Sequence, residues 1–110
     1  MKKPFSGQNR RNADTNAFLE ALNGGRLTFG QMLAACRRSR EQSAAAFAAR
    51  LGVSRQHLHQ LETGHKGISP ERAVRFARRL GQSETYFLQL ALQDLADESG
   101  VKSKVQVRVA

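Results

Sequence analysis

The sequence predicts an all-α fold of five helices followed by one C-terminal β-strand. Three observations carry that prediction. Apolar stripes recur at helical spacing between Thr28 and Asp97, each preceded by a Ser or Thr able to cap a helix N-terminus. Gly52, Gly64 and Gly81 stand where three of the stripes stop, and glycine closes helices by entering the left-handed region. Lys104–Val109 alternates polar and apolar residues, which is the period of a strand.

The elements follow in order. Residues 1–13 read as a flexible basic N-terminal tail, and residues 14–25 as a short helix, Asp14 to Leu22, with an Asn23-Gly24-Gly25 linker. Residues 26–98 form the body. Its first helix opens on a capping box, Thr28-x-x-Gln31, turns Phe29, Met32, Leu33 and Cys36 inward and runs to about Ser39. The second starts near Ser43 and places Ala44, Phe47, Ala48 and Leu51 on one stripe. After Gly52-Val53, Ser54 caps a third helix that runs to about Glu62 with Leu58 and Leu61 inward. Ser69-Pro70-Glu71 opens the fourth, with Ala73, Phe76, Ala77 and Leu80 inward. Ser83-Glu84 opens the fifth, which runs to about Asp97.

Residues 99–110 read as a dimerisation strand. Val105, Val107 and Val109 share one face, and a lone strand cannot satisfy its backbone groups. The expected partner is the same strand of a second protomer, across a two-fold axis. Phe87, Leu88 and Leu95 of the last helix are expected to join that interface, because the helix carries more apolar residues than one narrow stripe holds.

Composition narrows the function. The chain has 110 residues, a net charge of +9 and 40% hydrophobic residues. That is one small domain with a polyanionic partner, nucleic acid before membrane. No apolar run approaches a membrane span and no signal core follows Met1, so a cytoplasmic protein without membrane association is expected. A single Cys36 excludes a disulfide framework. The charge is concentrated: residues 26–83 carry a net +8 and residues 84–98 a net −4.

The stretch from Ser43 to Thr63 carries the chemistry. Two helices joined by a short turn containing Gly form a helix-turn-helix unit. Its second helix fits the DNA major groove, which is about 12 Å wide. At helical spacing Leu58, Leu61 and Glu62 point to the body, while Gln56, His59, Gln60 and Thr63 point away, with Arg55 beside them. Arg and Gln match the paired groups of guanine and adenine edges.

Phe29, Leu33 and Cys36-Arg37, followed by Ser43-Ala-Ala-Ala-Phe-Ala-Ala-Arg-Leu-Gly-Val-Ser-Arg-Gln-His-Leu-His-Gln-Leu-Glu-Thr-Gly64, resemble the lambda-repressor-like, Xre/Cro-type helix-turn-helix family over residues 28–95. The resemblance implies base contacts from Arg55, Gln56 and Gln60, joined by His59. It implies phosphate contacts from Thr63, His65 and Lys66, with Ser43, Ser54, His57 and Arg72 completing the expected set. It also implies that Arg37 pairs with Glu62. Where the family often has a DNA-touching Gln, this chain has Ala44, so binding is expected to lean more on Arg55 and the basic tail.

Bland readings hold elsewhere. His57 and His59 project about 200° apart on a helix and cannot chelate one ion. Cys36 reads as a small core residue, Arg78 and Arg79 as a solvated face, and the acids Asp94, Asp97 and Glu98 as a solvated helix end. No metal, no cofactor and no catalytic constellation is expected. The leading reading is a homodimeric transcriptional repressor on a near-palindromic double-stranded operator. The alternative is the antitoxin of a type II toxin–antitoxin pair, which binds a toxin protein and represses its own operon.

Overall fold

The computed structural model describes residues 27–102 and 104–108. The expected N-terminal tail, the helix of residues 14–22 and Val109 lie outside the described residues. Five helices follow in chain order: α1 Phe29–Ser39, α2 Ala44–Leu51, α3 Arg55–Thr63, α4 Pro70–Leu80 and α5 Glu84–Glu98.

Each helix starts on a hydroxyl. Thr28, Ser43, Ser54, Ser69 and Ser83 accept the amide three residues on, at 3.0–3.2 Å. Such a cap contributes about 1 kcal/mol by satisfying an otherwise orphaned donor. Thr28 closes a full capping box, its own amide donating to Gln31 Oε1 at 3.0 Å. The next amide of α1, Phe29 N, donates to Asp94 Oδ2 of α5 at 3.1 Å. A carboxylate at a helix N-terminus is the favourable sign for the helix dipole, so this acid anchors α1 to α5 and is not a solvated helix end.

Glycines close α2, α3 and α4 in the left-handed region. α1 closes without one. There Glu41 takes φ +55°, and the amides of Arg40, Glu41 and Gln42 reach back to Cys36, Arg38 and Arg37. A left-handed L-residue costs roughly 1–2 kcal/mol, of which the greater chain entropy of glycine gives back part. Glu41→Gly is therefore expected to raise stability by about 0.5–1 kcal/mol, read as a higher denaturant midpoint at unchanged slope. A lower midpoint would show that the Glu41 side chain makes a compensating contact.

The core is aliphatic with three central phenylalanines. Phe47, Phe76 and Phe87 are all but inaccessible, and Leu27, Met32, Leu33, Leu58 and Leu80 fill the space between them. Phe87 also meets Phe29 edge-on at 5.6 Å. α4 packs along α5, and α1 lies on α3. The second contact is close because α1 has Gly30 there: a Cβ would stand 2.2 Å from Leu61 O and 2.9 Å from Glu62 O. Cys36 is partly covered on the same helix, where burial pushes its thiol up to about 11 and its Sγ lies 3.6 Å from Met32 Sδ.

The C-terminal strand is corrected. No β-strand occurs among the described residues. The chain reverses after α5 at Gly100, φ +82°, and residues 104–108 run back along that helix. Two of their backbone amides are taken by side chains of α5, not by a second strand. Val105 N donates to Gln93 Oε1 at 2.7 Å and Val107 N to Gln89 Oε1 at 3.3 Å. Gln93 is itself buried and returns a bond to Asp97 Oδ1 at 3.0 Å. The period-2 alternation is real, since Val105 and Val107 are half-buried and Lys104, Gln106 and Arg108 exposed. A helix surface produces that alternation as well as a sheet does. Phe87 is likewise withdrawn from the expected dimer contacts, because it is fully enclosed within one protomer. Leu88 is half-buried, while Leu95 remains 44% exposed.

Candidate nucleic-acid interface

α2, the turn and α3 are fixed by local chemistry. Gly52 sits at φ +78°, its amide reaching Ala49 O while Val53 N reaches Ala48 O at 3.0 Å. That pair of bonds is the Schellman closure, and it leaves Val53 packed against the core and Ser54 free to start α3. Arg79 of α4 reinforces the turn: its Nη1 donates to Leu51 O at 3.0 Å and fills the space beside Gly52, where a Cβ would stand 2.3 Å from it. Arg79 is thus an exposed residue that also acts as a brace, and Arg78 pairs with Glu84 at 3.0 Å.

α3 has two sharply different faces. Leu58 and Leu61 are buried to within a few per cent. Arg55, Gln56, His59 and Thr63 are exposed, and Gln60 is half-buried at the margin. The helix's one carboxylate is withdrawn. Arg37 of α1 grips Glu62 with two donors, Nε to Oε2 at 2.9 Å and Nη2 to Oε1 at 3.0 Å. The side chains retain 24% and 11% of their exposure, so the pair is largely dehydrated. The hydrogen bonds to Glu62 hold the Arg37 guanidinium still more firmly protonated. The exposed face of α3 is left without a free negative charge.

Donors flank that face. Ser43 and Ser54, both exposed, cap α2 and α3. Past the end of α3, Thr63 Oγ1 donates to His59 O at 2.8 Å and meets His65 Nδ1 at 2.7 Å. Lys66 is exposed beside it, its amide donating to Gln60 O at 3.1 Å. Arg72 is half-buried in the first turn of α4. His57 is half-buried between them, and its pKa falls through burial first and then through the nearby charges of Arg72 and Lys66. Its neutral form is favoured until an anion offsets those cations.

The sequence pattern of the helix-turn-helix domain family matches residues 28–86, more than half of the chain. The chain belongs to the helix-turn-helix domain family. It is of the Xre/Cro type, a DNA-binding regulatory module without catalytic activity. No curated protein and no solved structure matches the chain.

The residues singled out for base and phosphate contact lie on α3, at the caps of α2 and α3, in the loop after α3 and in the first turn of α4. Ala44 at the start of α2 is half-buried and carries no polar group. No His, Cys, Asp or Glu cluster able to hold a metal ion occurs among the described residues, and no helix there is long and apolar enough to cross a membrane. Three positions that fix how the helices pack were missed from sequence. Gly30 looks like a helix blemish until α3 is laid on it. Arg79 looks solvated because its acceptor is a main-chain carbonyl, which no side-chain pattern reports. Arg40, similarly, donates to Leu80 O at the end of α4.

Proposed function

We propose that this chain is a sequence-specific regulator of transcription that binds double-stranded DNA and represses as a homodimer on a near-palindromic operator. One observation carries the reading: α3 exposes Arg55, Gln56 and His59 on a face from which its sole carboxylate has been removed by Arg37. In the major groove Arg55 would fork to guanine O6 and N7 and Gln56 to adenine N6 and N7, with His59 and Gln60 farther along the helix. Ser43, Ser54, His57, Thr63, His65, Lys66 and Arg72 would hold phosphates on both sides.

For the second protomer, the large apolar side chains left exposed among the described residues are Leu95 and Val101, at 44% and 50%. Burying that pair, with Leu88 at its margin, joins two domains without any strand. Two α3 helices one turn apart, about 34 Å, then read two half-sites. The same apolar pair, one on the acidic helix α5 and one just past its end, also suits a second reading, an antitoxin whose toxin covers it. A chain that sediments as a dimer when purified alone favours the first.

Selection of bound sequences from a random duplex pool tests the proposal and should return a two-fold site. On that site Arg55→Ala and Gln56→Ala should each cost about 1–3 kcal/mol, one bidentate base contact apiece. Binding to random sequence should fall far less, above all for Gln56. A pool that yields no common site, or variants that lose both kinds of binding equally, would defeat the assignment of these residues to bases.

A further inference from the structure

We infer that a DNA phosphate seated between α3, α4 and the loop joining them loads a proton onto His57, so that affinity for DNA falls as pH rises. The inference rests on the DNA reading above and adds proton coupling to it.

Three basic side chains converge there. His57 is half-buried on the margin of the covered face of α3. At about 100° per residue it lies about 40° round the helix from the buried Leu61 and about 60° from Gln60. Lys66 returns to that side, because its amide donates to Gln60 O at 3.1 Å, one turn past His57. Arg72, also half-buried, comes from α4. It shares an edge with Arg79, since seven residues make about two turns. Arg79 shows which way that edge faces: its Nη1 donates to Leu51 O at 3.0 Å, in the approach to α3. In keeping with this placement, the charges of Arg72 and Lys66 both act on His57 and, after burial, lower its pKa. The other charged groups on these elements are placed differently. Glu62 lies on the opposite margin of the covered face, held by Arg37 of α1. Arg55 and His59 are on the far side of α3 from His57. Arg50 on the last turn of α2 and Glu71 and Arg75 of α4 are exposed, and His65 of the loop meets Thr63 at 2.7 Å.

Such a place resists a third positive charge until an anion enters it. In the free chain His57 titrates below the usual 6.5, so its ring is mostly neutral at neutral pH. A phosphate brought to Lys66 and Arg72 reverses the balance. Its charge offsets the two cations, and its oxygens accept a charge-assisted hydrogen bond that only the imidazolium side of the equilibrium strengthens. The proton is taken from solvent. His57 therefore titrates at higher pH in the complex than in the free chain. Below the lower of the two values both states hold the proton, and above the higher neither does. Between them binding takes one up. Affinity is thus greatest at low pH, falls by up to about tenfold per unit between the two values, and then levels.

The test measures binding of the full chain to a short duplex carrying the selected site, from about pH 5 to about pH 8.5 at fixed ionic strength. The parent should weaken as pH rises, and His57→Gln should flatten that fall. His59→Gln and His65→Gln, whatever affinity they lose, should keep it. A second measurement needs no variant: the His57 ring, followed by NMR in the parent, should titrate at higher pH with DNA bound than without. A parent whose affinity does not change with pH overturns the inference. So does a fall that survives in His57→Gln, or a ring that titrates at the same or a lower pH in the complex. In each of those cases duplex binding itself stands. Absence of duplex binding at every pH is the separate failure of the DNA reading, and it takes this inference with it.

Discussion

Gly30→Ala is expected to unseat the recognition helix, although alanine favours a helix over glycine by about 1 kcal/mol. The new methyl would stand 2.2 Å from Leu61 O and 2.9 Å from Glu62 O, and both are backbone atoms of α3. A flexible side chain would swing aside. A helix backbone cannot, so α1 and α3 must separate. Overpacking of this kind costs about 1–3 kcal/mol and sometimes more, against the smaller gain in propensity. Separation also strains the Arg37–Glu62 bonds, which cross the same contact. The expected result is a stability loss of about 2 kcal/mol in denaturant titration. Affinity for specific DNA should fall further than stability alone explains, because α3 is displaced even in molecules that remain folded. Gly67→Ala is the control: nothing lies within 4 Å of a Cβ there, so it should change little. If Gly30→Ala stabilises the protein, the close approach of α1 to α3 is wrong.

How much of this was legible in the sequence follows from the range of each interaction. The caps at Thr28, Ser43, Ser54, Ser69 and Ser83 act over three residues, and their side-chain types state their role. The left-handed glycines 52, 64 and 81 are equally local. Together they set the starts of all five helices and the ends of α2, α3 and α4, and the stripe of Leu58 and Leu61 shows which face of α3 remains outward. What escaped depends on contacts between elements. Gly30 is a tertiary requirement with no local signature. Arg40 and Arg79 bond to main-chain carbonyls, which every sequence supplies everywhere. The tail shows the limit most clearly. Alternation at Val105 and Val107 does identify extended chain with one covered side. It does not name the cover, and the amides found Gln93 and Gln89. A helix bearing glutamines at i and i+4 offers acceptors on one side, and those of Gln89 and Gln93 serve alternate amides of an extended tail.

Removing Arg37 is expected to do more harm than removing Glu62, and removing both less harm than removing Arg37 alone. The pair is bidentate and mostly withdrawn from water, with Glu62 the more deeply placed at 11% of its side-chain exposure against 24% for Arg37. Arg37→Ala strands a carboxylate that cannot easily reach solvent. Losing one partner of a buried pair costs about 3–5 kcal/mol, and the residual exposure here places the expected loss near the lower end. Glu62→Leu leaves a guanidinium on a long, flexible stem that can turn outward, so its cost should be about 1–2 kcal/mol. The double variant Arg37→Met/Glu62→Leu replaces the ions by apolar groups of similar size and should lie within about 1 kcal/mol of the parent. DNA binding separates the roles further. Arg37→Ala frees a negative charge on the helix that must approach phosphates, whereas the double variant leaves none. At matched folded fractions Arg37→Ala should therefore bind duplex DNA more weakly than the double variant, with the gap narrowing as salt is raised. A gap independent of salt would show that Arg37 acts on DNA binding by orienting α3 alone, with no contribution from masking the carboxylate.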